Sequence, residues 1–337
     1  MKWNWKPLLA GALLALGWQA GMAQSLILDT AGVEAAIKRG AVVWDARDTD
    51  DYADGHIPGA VNFGYAGDLF RDPNREDPPS AAVAAQLFGA AGIDVLKREV
   101  VVYSTKADPF AYYAARMLEY YGGKHGKVYH GGVEDWKAAG KALTKEPTRL
   151  PPVTLTLSDE RVGTLWTKDV VERVRAGGAQ IIDVRTPKEY SGDDIRAIRG
   201  GHVAGAMNIP YEANWVDAAT PAKLAAKKVS NKDGMSLKPM ADLKATYAKL
   251  DPNKETVVYC QSAVRASETA TVLRELGFGN VKVYEPSWLG YAGVLSAPAE
   301  NEVYVNVGAL NGRIASLQGR VKSLEADLEK LQQAGKR

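Results

Sequence analysis

The sequence predicts an α/β protein with two similar domains, each a parallel sheet with helices on both faces, followed by a coiled-coil-like C-terminal helix. One set of motifs occurs twice in the same order. Within each copy, short apolar strands alternate with helical segments, a pattern typical of parallel sheets. From residue 310 onward, apolar residues recur at alternating steps of four and three, which is the period of a coiled coil.

Residues 1–23 have the pattern of a secretory signal peptide. Lys2 and Lys6 precede an apolar run over 7–18, and small residues at 21 and 23 fit a cleavage site. The run is shorter than the about 20 residues that span a bilayer. We therefore expect a periplasmic or secreted protein without a membrane span after cleavage; an uncleaved anchor is the alternative. Cleavage lowers the 42 basic residues to 40, equal to the 40 acidic ones, a balance that indicates no nucleic-acid partner.

The duplicated motifs define the domain boundaries. We predict a first domain over 24–148, a proline-containing linker over 149–159, and a second domain over 160–297. Helical segments over 111–121 and 266–276 each precede a strand that ends in Val-Tyr. The matching motif pairs are Val42–Arg47 with Ile181–Arg185, Gly55–Asn62 with Gly201–Asn208, and Val101–Ser104 with Val257–Cys260.

Cys260 is the only cysteine, and it lies between an apolar strand and a helical segment. Ligands of parallel sheets bind beyond the carboxyl ends of strands. Helix-terminal amides and a nearby cation, here Arg265, lower a cysteine pKa from about 8.5 to between about 3.5 and 7.5. The sequence therefore predicts a nucleophilic thiol that is reachable from solvent. The alternative is a buried structural cysteine.

The cysteine and histidine content of the chain argues against two other kinds of chemistry. The chain has no C-x-x-C pair and no cluster of His and Cys, so it lacks the parts of a dithiol oxidoreductase or a zinc site. We expect no metal and no cofactor.

The duplicated motifs resemble those of the rhodanese family of sulfurtransferases, in its exported tandem-domain form. The resemblance covers about residues 26–296 and rests on Asp-x-Arg before an aromatic, Gly-His-x-x-Gly-Ala-x-Asn, and the loop led by Cys260. It implies that Cys260 takes a sulfane sulfur from thiosulfate, mercaptopyruvate or a related donor as a persulfide, and passes it to a thiophilic acceptor. The substrate-binding residues implied are those of the loop, Gln261, Ser262, Ala263, Val264 and Arg265. The first domain has Ser104 in place of the cysteine, so it is expected to be catalytically silent.

Departures from the family pattern leave the donor open. The loop matches neither the C-R-K-G-V-T nor the C-G-S-G-V-T signature, and Ala263 replaces the usual glycine. Glu189 stands where an arginine is usual, so one contact to an anionic donor is missing. Arg196 and Arg199 are candidate substitutes, unless their segment is simply a solvated loop.

Other residues of the duplicated motifs are expected to support the site. Asp183 and Arg185 are predicted to pair and fix the loop, although Arg185 is also a candidate substrate contact. His56 and His202 recur in both copies, including the one without cysteine, so we expect them to hold a turn. Trp215 and Trp288 are candidates for the core or the pocket wall.

Two further functions remain open. A non-catalytic persulfide carrier or binding module for a partner protein would use the same thiol. A cysteine phosphatase is a remote alternative, because its loop is C-x5-R whereas Cys260 to Arg265 is C-x4-R.

The tail, residues 308–335, is predicted to form a coiled-coil helix. β-Branched residues at a positions with leucine at d positions favour a parallel dimer, and a trimer is also open. The alternative is a helix folded back on its own domain. The seam residues within 310–331 are Leu310, Ile314, Leu317, Val321, Leu324, Leu328 and Leu331.

Overall fold

The structure is a computed structural model that describes residues 25–124, 126–159 and 161–334. The predicted signal peptide lies outside these residues. The described chain forms two α/β domains and a C-terminal helix, which confirms the predicted fold class. The elements of the first domain lie between residues 27 and 138 and those of the second between 164 and 304.

The first domain is a five-stranded parallel sheet with six helices. Its strands are β1 (Ile27–Leu28), β2 (Val42–Asp45), β3 (Ala60–Val61), β4 (Val100–Tyr103) and β5 (Gly126–Tyr129). Its helices are α1 (Thr30–Lys38), α2 (Thr49–Asp54), α3 (Ala66–Leu69), α4 (Ala81–Ala90), α5 (Pro109–Tyr120) and α6 (Gly132–Ala138). The strand order is β1-β5-β4-β2-β3.

The second domain repeats this topology and adds an antiparallel pair. Its strands are β6 (Thr164–Leu165), β7 (Gln180–Asp183), β8 (Arg199–Val203), β9 (Met207–Asn208), β10 (Thr256–Tyr259), β11 (Val281–Tyr284) and β12 (Ala299–Tyr304). Its helices are α7 (Thr167–Ala176), α8 (Pro187–Ser191), α9 (Thr220–Ala225), α10 (Met240–Thr246), α11 (Val264–Glu275) and α12 (Ser287–Ala292), with short 3₁₀ turns at Tyr211–Asn214 and Asp233–Met235. The sheet order is β6-β11-β10-β7-β9, and β8 pairs with β12.

The central strands β4 and β10 position the motif residues. All four residues of each strand are buried, because helices cover both faces of a parallel sheet, and such strands are therefore continuously apolar. Helix α11 ends just before Gly277, which adopts a positive φ of 92°, as glycine after a helix end commonly does. Strand β10 and helix α11 thus bound the connection that contains Cys260.

The two domains share one apolar core and a polar interface. Helix α5 of the first domain packs on α11 of the second. Arg116 donates from Nε to Ser267 Oγ at 3.0 Å and pairs with the buried Glu285. Arg274 pairs with Glu119 at 2.6 Å. The first domain therefore packs directly on the helix that follows Cys260.

A buried carboxyl group lies in the same region. Glu268 of α11 accepts a hydrogen bond from Trp215 Nε1 at 2.9 Å, and its second oxygen has no partner among the described residues. Trp215 and Trp288 are both buried core residues, which is one of the two roles expected from the sequence. Burial raises the pKa of Glu268 well above its ordinary value, because a low-dielectric surrounding favours the neutral form of a carboxyl group.

Glu268→Gln should make the protein more stable than wild type at alkaline pH. Because the folded pKa of Glu268 is raised, its contribution to stability is fully present below the unfolded pKa of about 4.3 and falls as pH rises toward the folded pKa. The slope for one proton is at most about 1.4 kcal/mol per pH unit. Urea unfolding of both proteins from pH 4 to 9 measures it. Equal pH dependence in both would show that Glu268 is not the group responsible.

The C-terminal helix α13 (Val307–Ala334) carries the predicted seam. Its seven seam side chains are 45–69% exposed. The alternative interpretation, a helix folded back on its own domain, is therefore wrong for this structure. Within the described residues, no helix is long and apolar enough to cross a bilayer.

Candidate active site

Cys260 follows β10 directly, and α11 begins four residues later at Val264. The intervening loop turns sharply because Ala263 adopts φ +64°, a left-handed conformation. Such a conformation costs a non-glycine residue about 1–2 kcal/mol. The alanine therefore does not prevent the turn that glycine would make more easily. Ala107 of the first domain has φ +61°, so both copies retain the same turn.

Ser287 holds the loop in place through hydrogen bonds to its backbone. The amides of Cys260 and Ala263 donate to its Oγ at 3.2 and 3.0 Å, and its hydroxyl donates to the carbonyl of Tyr284 at 2.8 Å. The amide of Trp288 donates to the Cys260 carbonyl at 3.0 Å. Sequence reasoning missed Ser287, because nothing local marks a serine 27 residues away as a partner of the loop.

The remaining amides of the loop are available to a ligand. Those of Gln261, Ser262, Arg265 and Ala266 have no acceptor within the described part of the chain. The first amides of a helix have no intrahelical partner and favour anions. The loop can therefore stabilise negative charge next to the thiol.

The thiol is enclosed. Cys260 is 1% exposed, so the expectation of a solvent-accessible thiol is wrong for this structure. Two contacts hold the loop from outside. Gln261 Nε2 donates to the Arg196 carbonyl at 2.8 Å, and Arg71 of the first domain donates to the Ser262 carbonyl at 3.0 Å. Both contacts join segments far apart in sequence, so sequence reasoning did not find them as loop contacts.

Arg265 is not a free cation. Its two Nη atoms donate to the two carboxylate oxygens of Glu189 at 2.7 and 2.8 Å. Burial opposes charge on both groups. The mutual hydrogen bonds and charges outweigh it, raising the pKa of Arg265 and lowering the pKa of Glu189 to about 2. Arg196 also contacts Glu189 at 3.2 Å. The other predicted substitute, Arg199, is buried and paired with Glu302.

Asp183 and Arg185 form a buried ion pair beneath the loop. Arg185 donates from Nη2 to Asp183 at 2.5 Å and to the Gly201 carbonyl at 2.7 Å. The Tyr259 hydroxyl donates to the same carboxylate at 2.7 Å. The guanidinium carbon lies 4.8 Å from the Trp288 ring centre. Because these contacts occupy Arg185, the geometry supports the predicted supporting role and gives no support to the predicted substrate contact.

The first domain contains the same supporting framework. Its buried pair is Asp45 with Arg47, and Tyr103 donates to Asp45 at 2.6 Å. At the cysteine position, Ser104 donates its hydroxyl to Asp108 at 2.5 Å, and Asp108 caps α5. The buried Asp–Arg pair and its tyrosine partner are therefore present in a domain that has no cysteine.

The two motif histidines lie beside extended backbone: His56 forms an isolated bridge with Thr144, and His202 lies in β8. His56 stacks on Tyr52 with ring centres 3.7 Å apart, and His202 stacks on Tyr190 at 3.5 Å. The Nδ1 atom of each lies within 2.9 Å of the carbonyl oxygen of its tyrosine. These contacts match the predicted structural role.

No group of three or more His, Cys, Asp or Glu side chains able to hold a metal occurs in the ranges that the structure describes. The comparison with protein families decides the assignment: the rhodanese-like domain matches residues 29–139 and 167–293. The chain belongs to the rhodanese family.

Two relatives of this rhodanese-family chain have names that refer to the transfer or carriage of sulfur. It is 32% identical over 272 residues to a thiosulfate sulfurtransferase of Corynebacterium glutamicum, covering 77% of this chain and 84% of the relative. It is 33% identical over 263 residues to the sulfur carrier protein TtuD of Thermus thermophilus, covering 73% and 86%. These similarities support sulfurtransferase activity in general, with small sulfur compounds as substrates.

A solved structure shares the fold. The 3-mercaptopyruvate sulfurtransferase from Leishmania major superposes with a TM-score of 0.67 at 21% identity, over 83% of this chain and 77% of that one. At this identity the likeness shows the fold alone.

Proposed function

We propose that the protein moves a sulfane sulfur from thiosulfate or a related donor to a thiophilic acceptor through a persulfide on Cys260. The enzyme would be of the thiosulfate:cyanide or 3-mercaptopyruvate type. The observation that carries the proposal is the placement of the chain's only thiol in a loop with four unpaired amides, at the carboxyl end of the central strand.

In the first step, the Cys260 thiolate attacks the outer sulfur of thiosulfate. A new S–S bond forms, the bond to the sulfonate sulfur breaks, and sulfite leaves with the electron pair. With mercaptopyruvate, the C–S bond breaks and the carbon takes the thiol proton, which gives pyruvate. The developing negative charge would be stabilised by the unpaired amides of Gln261, Ser262, Arg265 and Ala266.

In the second step, the acceptor attacks the outer sulfur of the persulfide. Cyanide becomes thiocyanate, and the electron pair of the S–S bond returns to Cys260 as thiolate. No electron donor or cofactor is needed in either step. We propose that the loop residues Gln261 to Arg265 form the substrate-binding surface for both.

Access to the thiol requires movement, because Cys260 is enclosed in this structure. The segment around Arg196 and the first-domain Arg71 each hold the loop by one hydrogen bond. Either contact can break without disturbing the sheet. The silent domain would thus contribute to closure of the site through Arg71.

A second candidate function is a persulfide carrier for a partner protein. The relative named sulfur carrier protein TtuD and the enclosed thiol favour it. Steady-state assays with thiosulfate and cyanide separate the two: continuous thiocyanate release supports the enzyme, and one-time loading without turnover supports the carrier. p-Nitrophenyl phosphate at high enzyme tests the remote phosphatase alternative, and we expect no hydrolysis.

We further propose that the protein is exported and cleaved after residue 23, to the periplasm or outside the cell. The support is the sequence pattern of residues 1–23. N-terminal sequencing of the protein recovered from the exporting host tests it. A mature chain that still begins at Met1 would contradict it.

We propose that α13 associates with a second or third copy of itself. The exposed seam, and Arg320 and Glu325 at positions that can pair across a parallel interface, support this. We expect truncation at Asn306 to reduce the sedimentation molar mass to that of a monomer. Leu317→Lys should do the same, whereas Ser316→Lys, off the seam, should not. An unchanged mass after truncation would contradict self-association.

A further inference from the structure

A carboxylate is buried against the loop that holds the thiol. Glu189 is 1% exposed, although it belongs to the short helix α8 at the surface of the domain. Arg265 occupies both of its oxygens. The amide and hydroxyl of Thr186 donate to it at 3.0 and 3.1 Å. These contacts keep Glu189 ionised and fixed in position.

The cations around the loop are paired with carboxylates. Arg265 and Arg196 contact Glu189, and Arg185 is paired with Asp183. The carboxyl group of Glu212, whose own pKa burial raises, lies within electrostatic range of Arg265 and Glu189. Arg265 also lies within electrostatic range of Cys260. An incoming anion therefore finds free amides but no guanidinium without a carboxylate partner among these residues.

We propose that Glu189 is a specificity-determining residue that disfavours dianionic sulfur donors relative to donors with a single negative charge. The inference rests on the proposed function. The fixed carboxylate repels an anion in proportion to the charge of that anion. It also neutralises the guanidinium that would otherwise attract the donor. Thiosulfate, a dianion, is penalised more than mercaptopyruvate, a monoanion.

The ratio of kcat/KM for thiosulfate to that for mercaptopyruvate, with cyanide as acceptor for both, tests this. In E189Q the amide oxygen can still accept from Arg265, but the charge is gone. We expect the ratio to rise by roughly tenfold, the effect of about one unit of donor charge interacting with one carboxylate. A purely structural role would alter both donors equally and leave the ratio unchanged. If E189Q does not fold, E189A makes the same comparison.

Two control variants sharpen the test. E189D keeps the charge and should keep the wild-type ratio. Asp51 occupies the matching position in the silent domain, immediately before Tyr52, and is exposed. D51N removes an acid from the equivalent position of the first domain. It should leave kcat/KM unchanged for both thiosulfate and mercaptopyruvate.

The two proposals fail in different ways. If wild-type protein gains a sulfur on Cys260 and turns over both donors, but the ratio in E189Q equals that of wild type, the role of Glu189 is overturned and the enzyme stands. An equal rise in E189D would also overturn it. If wild-type protein gains no sulfur from either donor, the proposed function fails, and the inference fails with it.

Discussion

Replacing Cys260 by serine is expected to reduce thiosulfate:cyanide turnover to background, a loss of at least about 10³-fold. A serine hydroxyl is a far weaker nucleophile than a thiolate and cannot form a persulfide. The chain offers no second thiol to replace it. Initial rates of thiocyanate formation at saturating donor measure the effect.

The matched control is Ser104→Ala in the first domain. Ser104 occupies the corresponding position after β4 and donates only to Asp108, so this variant should keep wild-type turnover. Circular dichroism should show that Cys260→Ser is folded, since the change replaces sulfur with a slightly smaller oxygen. Substantial turnover by folded Cys260→Ser would contradict the assignment of the nucleophile.

Asp183→Ala is expected to lower the free energy of unfolding by about 3–5 kcal/mol. The carboxylate accepts from Arg185 and from Tyr259 in a fully buried position. Removing it leaves the guanidinium of Arg185 buried without its counter-charge, the costly way to break such a pair. Urea unfolding followed by fluorescence measures the loss.

The control for that prediction is an exposed ion pair. Lys168 and Glu172 lie 3.9 Å apart on α7 with both side chains mostly exposed, so Glu172→Ala should change stability by less than about 1 kcal/mol. If Asp183→Ala is as mild as Glu172→Ala, the ion pair does not support the loop. Both changes remove one carboxylate, so the predicted difference reflects the burial of the Asp183 pair and the hydrogen bonds that Asp183 accepts from Arg185 and Tyr259.

The fold and the placement of the thiol could be predicted because they depend on local patterns. Apolar runs such as Val257–Tyr259 form buried strands, and the match of Val101–Ser104 with Val257–Cys260 identifies the strand after which the loop lies. The pairing of Asp183 with Arg185 was also predictable, since the two residues are only two positions apart in the chain.

The electrostatics of the site could not be predicted, because they depend on contacts between distant segments. Glu189 and Arg265 are 76 residues apart, and Arg71 and Ser262 are 191 apart. The sequence showed Glu189 as a departure from the usual arginine, and its charge opposite to that of Arg265 was a usable signal. Nothing in the sequence indicated that Cys260 is buried.

The most direct test of the central claim is the intact mass of the purified protein after incubation with thiosulfate and, separately, with mercaptopyruvate. The account predicts a gain of one sulfur atom, removed by cyanide and absent in Cys260→Ser. No gain from either donor, or an equal gain in Cys260→Ser, would contradict a persulfide on Cys260.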